Sequence, residues 1–227
     1  MLALTWSSVA AVCFDLDGTL VDSEGEAADA IALALRPLGR ELSAPERDFV
    51  VGHGFGEIYR YIYDNGGVPW GIKEFELAVY NARVELFAQH GCGELPGARE
   101  IVRWVAAHKP CALVTGSTRP EAELMLRALE LTDCFQITVC AGEYAHGKPN
   151  PEPYLQAAAA LGVVPASCLV IEDSTAGIAA GRAAGMHCIA VRAGNRYGQD
   201  QSAADQIIDT LLALPTLQLR APLPKID

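Results

Sequence analysis

"VAAVCFDLDGTL", residues 9–20, decides how this chain is read. An apolar run of strand length ends at Asp15, skips one residue to Asp17 and breaks at Gly18. A strand covered on both faces reads as a continuous apolar run, without polar alternation. In an open α/β sheet, ligands bind beyond the carboxyl ends of the strands, which is where such a run would present its two acids. Gly18 permits the sharp exit that lets both carboxylates approach one point.

Four more runs of this kind follow: "CALVT" (111–115), "FQITVC" (135–140), "CLVIE" (168–172) and "HCIAV" (187–191). Helical stretches separate them. "PGAREIVRWVAAH" (96–108) carries Ala98, Ile101 and Val105 on one face. "TRPEAELMLRALE" (118–130) opens with a Thr118–Glu121 capping box. "PEPYLQAAAALG" (151–162) starts with prolines and stops at Gly162, and "STAGIAAGRAAG" (174–185) is built of small residues that allow close packing on a sheet. The alternation predicts a Rossmann-like α/β fold with a doubly wound parallel sheet.

Residues 22–95 break the alternation. They read as helices over 24–38, roughly 44–51, 55–64 and 72–89, the last with Phe75, Val79, Ala82 and Leu86 on one face. The expected plan is a discontinuous catalytic core, 1–21 and 96–227, with a helical cap domain, 22–95, inserted between the first and second strands.

Bulk properties narrow the function classes. A chain of 227 residues can bury one core plus a small second unit. With 17 Lys and Arg against 28 Asp and Glu, the net charge of −11 lacks the basic footprint of a nucleic-acid binder. No run is long and apolar enough to span a bilayer, and the first basic residue is Arg36, so no signal peptide is read. Seven cysteines without a CxxC pair read as reduced core residues. The expectation is a soluble, cytoplasmic protein with no membrane partner. No oligomerisation signal stands out, which leaves a monomer as the default; the tail "LRAPLPKID" (219–227) is expected to be loosely held.

The polar ends of the runs are the candidate site. The first ends in Asp15 and Asp17, the second in Thr115, Gly116 and Ser117, and the fourth in Glu172, Asp173 and Ser174. "HGKPNPEP" (146–153) presents Lys148. If these ends converge, clustered carboxylates need a cation, and hard oxygen ligands point to Mg²⁺ with a phosphate oxygen in its shell. Thr115, nearby amides and Lys148 can hold the other phosphate oxygens. Asp15 is then a metal ligand and nucleophile, and Asp17 can protonate a leaving group and later deprotonate a water.

"DLDGTLVDSE", "LVTGST", "GKPNPEPY" and "IEDSTAGIAAGRAAGM" together resemble the four ordered motifs of the haloacid dehalogenase-like superfamily, over about residues 9–193. The resemblance is greatest to the subgroup with a small helical cap, which includes phosphoglycolate phosphatase, other sugar-phosphate phosphatases and β-phosphoglucomutase. It implies an aspartyl-phosphate on Asp15, with Asp17 as acid/base and Thr115 and Lys148 binding the phosphoryl group. It also implies Mg²⁺ held by the Asp15 side chain, the Asp17 backbone carbonyl and Asp173, with Glu172 near or in the shell, and a cap that closes over the site and selects the substrate.

Within that resemblance, Asp17 favours phosphoryl chemistry over dehalogenation. The mutase has a His about ten residues beyond its second Asp and an Arg in the cap loop; Ala27 and Phe55 stand near those places here. The expected activity is therefore hydrolysis of a small phosphorylated metabolite, with a phosphosugar mutase as the alternative and a phospho-acceptor switch as a third reading. The loop "VGHGFGEIY" (51–59) is the candidate substrate contact, through Gly52, a glycine that lets the backbone approach a ligand, and His53, a switchable donor.

Overall fold

The computed structural model describes residues 6–50, 53–195 and 198–216; Gly52 and the tail 219–227 lie outside them. The chain forms two compact units, Met1–Val21 with Glu94–Asp227, and Asp22–Gly93.

The first strand, β1 (Ala11–Phe14), is buried along its whole length. The chain then leaves the first unit for four helices: α1 (Ser23–Leu35), α2 (Ala44–Val50), α3 (Phe55–Asp64) and α4 (Ile72–His90). These enclose their own core, with Ile31 and Leu35 of α1, Ile58 and Ile62 of α3, and Phe75 and Val79 of α4. At the start of both α3 and α4, Glu57 and Glu74 in the first turn accept from the Gly54 and Gly71 amides, the half of a capping box that a glycine N-cap allows.

Returning to the first unit, α5 (Ala98–Ala106) precedes β2 (Cys111–Thr118). Then come α6 (Arg119–Ala128), β3 (Ile137–Ala141), α7 (Glu152–Leu161), β4 (Cys168–Glu172), α8 (Thr175–Ala183), β5 (His187–Val191) and β6 (Gln206–Ile208). The sheet order is β3-β2-β1-β4-β5-β6, with every pair parallel. This is the doubly wound order, and the direction of winding reverses at β1 and β4. The parallel Rossmann-like sheet expected from the apolar runs is thus present. One strand was not anticipated: β6 has three residues and begins with Gln206, too short and too polar to stand out as a run.

Strand alternation sends Ala11, Cys13, Ala112, Val114, Cys168, Val170, Cys188 and Ala190 to one face, where α7 and α8 cover them with Tyr154, Ala157, Ile178 and Ala180. Small residues dominate both sides of this layer, so the helices sit close to the sheet. Val12, Phe14, Leu113, Leu169 and Ile171 point the other way and are equally buried, so both faces are closed. Five cysteines are buried, and Cys92 and Cys134 are half-buried. Among the described residues, no helix is long and apolar enough to cross a membrane.

Candidate active site

Because all strands run the same way, β1, β2 and β4 end at one edge of the sheet. Asp15 follows β1 directly, and its amide continues the ladder by donating to the Ile171 carbonyl at 3.0 Å. The next residues form a tight turn in which the Leu16 carbonyl accepts from the Leu20 and Val21 amides. Gly18 occupies the left-handed region at φ +82°, and a Cβ there would lie 2.3 Å from Asp173 Oδ2. Both the turn and the approach of Asp173 therefore require glycine.

Lys148 reaches this edge from the loop before α7. Its ammonium donates to Asp15 Oδ1 at 2.5 Å, to Glu172 Oε1 at 2.7 Å and to the Val114 carbonyl at 2.9 Å. The ring of Tyr154, fully buried, lies under the ammonium with its centroid at 5.1 Å. The lysine thus joins β1, β2 and β4 through one atom.

Glu172 has no exposure, and both of its oxygens are saturated. Oε1 accepts from Lys148 and from the Tyr154 hydroxyl at 3.1 Å; Oε2 accepts from the Asp173 amide and from the Ser174 amide and hydroxyl. Burial alone would raise its pKa, but Lys148 and Ser174 outweigh burial and hold it lowered. Its neighbour Gly177 sits so close that a Cβ would fall 1.6 Å from Glu172 Oε1. Gly177→Ala must push the carboxylate or the start of α8 aside. We expect a loss of about 3 kcal/mol, at the top of the usual overpacking range. For a chain of this size that is a fall in Tm of roughly 6–12 °C, and a thermal melt with no fall would refute the packing argument.

Asp15 and Asp173 have a different balance. Burial, with the charges of Glu172, Asp173 and Asp17, holds the Asp15 carboxyl well above its ordinary range despite Lys148. Burial and Glu172 push Asp173 up to about 7, against the hydroxyl of Thr19, which donates to Oδ1 at 3.1 Å, and against Lys148. Burial would lower the Lys148 ammonium, yet Asp15 and Glu172 more than reverse this and keep it charged.

One carboxylate oxygen from each of Asp15, Glu172 and Asp173 lies within 4.8 Å of the other two. Three buried carboxylates sharing one ammonium leave an excess of negative charge in a site of hard oxygens. That donor set fits a divalent cation such as Mg²⁺. Since Glu172 already accepts from five donors, Asp15 and Asp173 have the greater capacity to hold it.

Opposite the carboxylates, the end of β2 supplies hydroxyls. Thr115 Oγ1 and Ser117 Oγ donate to Asp17 Oδ2 at 2.9 and 2.7 Å, and the Ser117 amide donates to Thr115 Oγ1 at 2.9 Å. Gly116, between them, has nothing within 4 Å of a notional Cβ. Asp15, Asp17, Thr115, Gly116, Ser117, Lys148, Glu172 and Asp173 are thus brought to one edge of the sheet.

In the helical unit, His53 stacks on Phe49 with ring centroids 3.9 Å apart, and Phe49 stacks in turn on Tyr61. Tyr59 bonds the Trp70 carbonyl and packs on Phe75. His146, beside Lys148, is exposed and bonded to Glu152.

Several groups at the site escaped the sequence reading: Thr19, Tyr144, Tyr154, Gln201 and Gly194. Gln201 is buried and donates to the carbonyls of Asp173 and Val191. A Cβ on Gly194 would strike the Gly18 carbonyl at 1.7 Å, so the loop after β5 rests directly on the β1 turn. Thr19 and Tyr154 lie inside the quoted motifs and could have been proposed. Gln201 and Gly194 belong to no motif, and only the tertiary contact reveals them.

A family model described as haloacid dehalogenase-like hydrolase matches residues 9–185. The chain is 34% identical over 206 residues to the bifunctional riboflavin kinase/FMN phosphatase of Arabidopsis thaliana, covering 88% of this chain. It spans about half, 53%, of that relative's length. It is 35% identical over 184 residues to hexitol phosphatase A of Escherichia coli, covering 79% of this chain and 82% of that protein. Among solved structures, CbbY from Rhodobacter sphaeroides in complex with phosphate has a TM-score of 0.78, covering 91% of this chain and 96% of that one. At 24% identity, that likeness concerns the fold.

Proposed function

The chain belongs to the haloacid dehalogenase-like hydrolases, and from that premise we propose that it is a Mg²⁺-dependent phosphomonoesterase acting on a small phosphorylated metabolite of the sugar-phosphate kind. The observation that carries this reading is the Lys148 ammonium bridging Asp15 and Glu172, opposite the hydroxyls of Thr115 and Ser117. One nucleophilic carboxylate, one fixed cation and two hydroxyls facing a carboxylate suit a group with several anionic oxygens. The relatives named as phosphatases of FMN and of hexitols support the same class.

In this mechanism Asp15 attacks phosphorus in line with the ester oxygen. The P–O ester bond breaks, and Asp17 gives its proton to the departing alkoxide. Asp17 then takes a proton from water, whose oxygen attacks the phospho-Asp15, and inorganic phosphate leaves as the Asp15 carboxylate is restored. Lys148 and the Thr115 and Ser117 hydroxyls offset charge on the phosphoryl oxygens throughout. Asp15, Asp173 and the Asp17 carbonyl would hold Mg²⁺, which would supply positive charge for the phosphoryl group and relieve the repulsion between the carboxylates.

Asp17 Oδ2 itself accepts from both hydroxyls in this conformation. An incoming phosphoryl group competes for those donors and releases Asp17 toward the leaving group. The helical unit, through residues 53–59, serves as the specificity element in this reading.

Four measurements test it. Phosphate release from a panel of phosphomonoesters should depend on Mg²⁺ and stop with chelator; no release from any ester would reject the hydrolase reading. Conversion of β-glucose 1-phosphate to glucose 6-phosphate would favour the mutase. Asp17→Asn should slow both proton transfers by about 10²-fold or more. Intact-mass analysis after substrate addition then tests whether a phosphoryl group accumulates, and its loss when Asp15→Asn is added tests whether Asp15 carries it. A fully active Asp17→Asn would remove it from the acid/base role.

A further inference from the structure

We propose that Tyr144 is a positioning residue for the phosphate-binding end of β2, acting through the Thr115 carbonyl; this rests on the phosphatase reading of the site. β2 pairs with β1 only as far as Leu113 and with β3 only as far as Val114; pairing with β3 resumes at Thr118. Thr115 to Ser117 therefore lie where the ladder lets go, yet Thr115 is fully buried. A buried carbonyl needs a donor. The Tyr144 hydroxyl supplies one, donating to the Thr115 carbonyl at 3.2 Å.

The placement of Tyr144 is built. Its ring lies along the backbone at Gly147, where a Cβ would meet Tyr144 Cε2 at 3.2 Å. The next residue, Lys148, donates to the Val114 carbonyl at 2.9 Å. One five-residue segment, 144–148, thus holds two consecutive carbonyls at the end of β2, one by a hydroxyl and one by the ammonium that also binds Asp15.

The consequence concerns the next amide. A trans peptide points its N–H opposite its carbonyl. Fixing the Thr115 carbonyl on Tyr144 fixes the direction in which the Gly116 N–H is offered, away from Tyr144. Gly116 has no side chain to hold this peptide plane by packing. Thr115 is then pinned at both ends, with its hydroxyl between Asp17 and the Ser117 amide.

Tyr144→Phe keeps the ring and removes only the hydroxyl. The bond is on the long side for O–H···O, so the effect should be modest. Phosphoryl oxygens use this loop in the ground and transition states alike. The expected result is therefore a two- to fivefold rise in KM and in the inhibition constant of inorganic phosphate, with kcat nearly unchanged. Hydrogen exchange at the 115–117 amides should accelerate while Tm holds. Unchanged phosphate inhibition with unchanged exchange would overturn the proposal. If the wild type turned over no ester, the phosphatase reading would fail on its own, and the exchange comparison would still decide Tyr144: faster exchange supports it and equal exchange overturns it.

Discussion

Asp15→Asn is expected to abolish turnover, by roughly 10³-fold or more, while leaving the metal-free protein as stable as the wild type or more so. The two halves have different causes. An amide cannot attack phosphorus as a carboxylate does, so the covalent step is lost. Stability moves the other way because of charge. Asp15 is held well above the ordinary carboxyl range by burial and by Glu172, Asp173 and Asp17, against the pull of Lys148. A raised carboxyl pKa in the folded state means that its ionised form is disfavoured there. The cost is present at every pH above the unfolded value near 4 and is relieved as the pH falls. Asn removes this cost and can still accept from Lys148. The substitution should also shrink the gain in Tm that Mg²⁺ gives the wild type, since one of its two best ligands has lost its charge. Phosphate release checks the first expectation, and thermal melts with and without Mg²⁺ check the other two. A large fall in metal-free Tm would show that the Lys148 pair outweighs the crowding of carboxylates.

The fold was readable because its strands are buried on both sides. "VAAVCF", "CALVT" and "CLVIE" have no polar alternation, and polar residues appear only at their ends, at Asp15, Thr115 and Glu172. The helices were bounded by local chemistry, such as the Thr118–Glu121 capping box and the left-handed Gly162 that closes α7. What stayed hidden depends on tertiary neighbours. β2 runs three residues past Thr115 because it rejoins β3 at Ala141 after a break in register, which no propensity encodes. Glu172 and Asp173 look alike in sequence as adjacent acids. Only the positions of Lys148, Tyr154 and Ser174 separate a saturated anchor from a carboxylate with room for a cation. Gln201 and Gly194 reach the site from a loop whose sequence carries no catalytic signature, and their importance comes from the Asp173 and Gly18 carbonyls they touch.

Lys148→Met is expected to cost both activity and stability, and the two losses can be separated. The side chain is 12% exposed, and its partners Asp15 and Glu172 are 8% and 0% exposed. Removing one partner from a buried ion pair leaves the other charge uncompensated, at a cost of about 3–5 kcal/mol. That corresponds to a fall in Tm of roughly 6–20 °C for a chain of this length. Without the ammonium, both carboxylates have raised folded-state pKa values. The deficit should therefore grow as the pH rises from the unfolded carboxyl range, become full only above the raised folded-state values, and fade as the pH drops and they protonate. Activity should fall by about 10²- to 10³-fold, the effect of losing one preorganised charge at a transferring group. The double variant with Asp15→Asn tests the cause. If the lost stability comes from stranding Asp15 beside Glu172, Asp15→Asn should raise the Tm of the Lys148→Met protein by more than it raises that of the wild type, while turnover stays absent. Simple additivity of the two changes would mean that Lys148 stabilises the fold mainly through Glu172 and the Val114 carbonyl, and that its pairing with Asp15 serves chemistry alone.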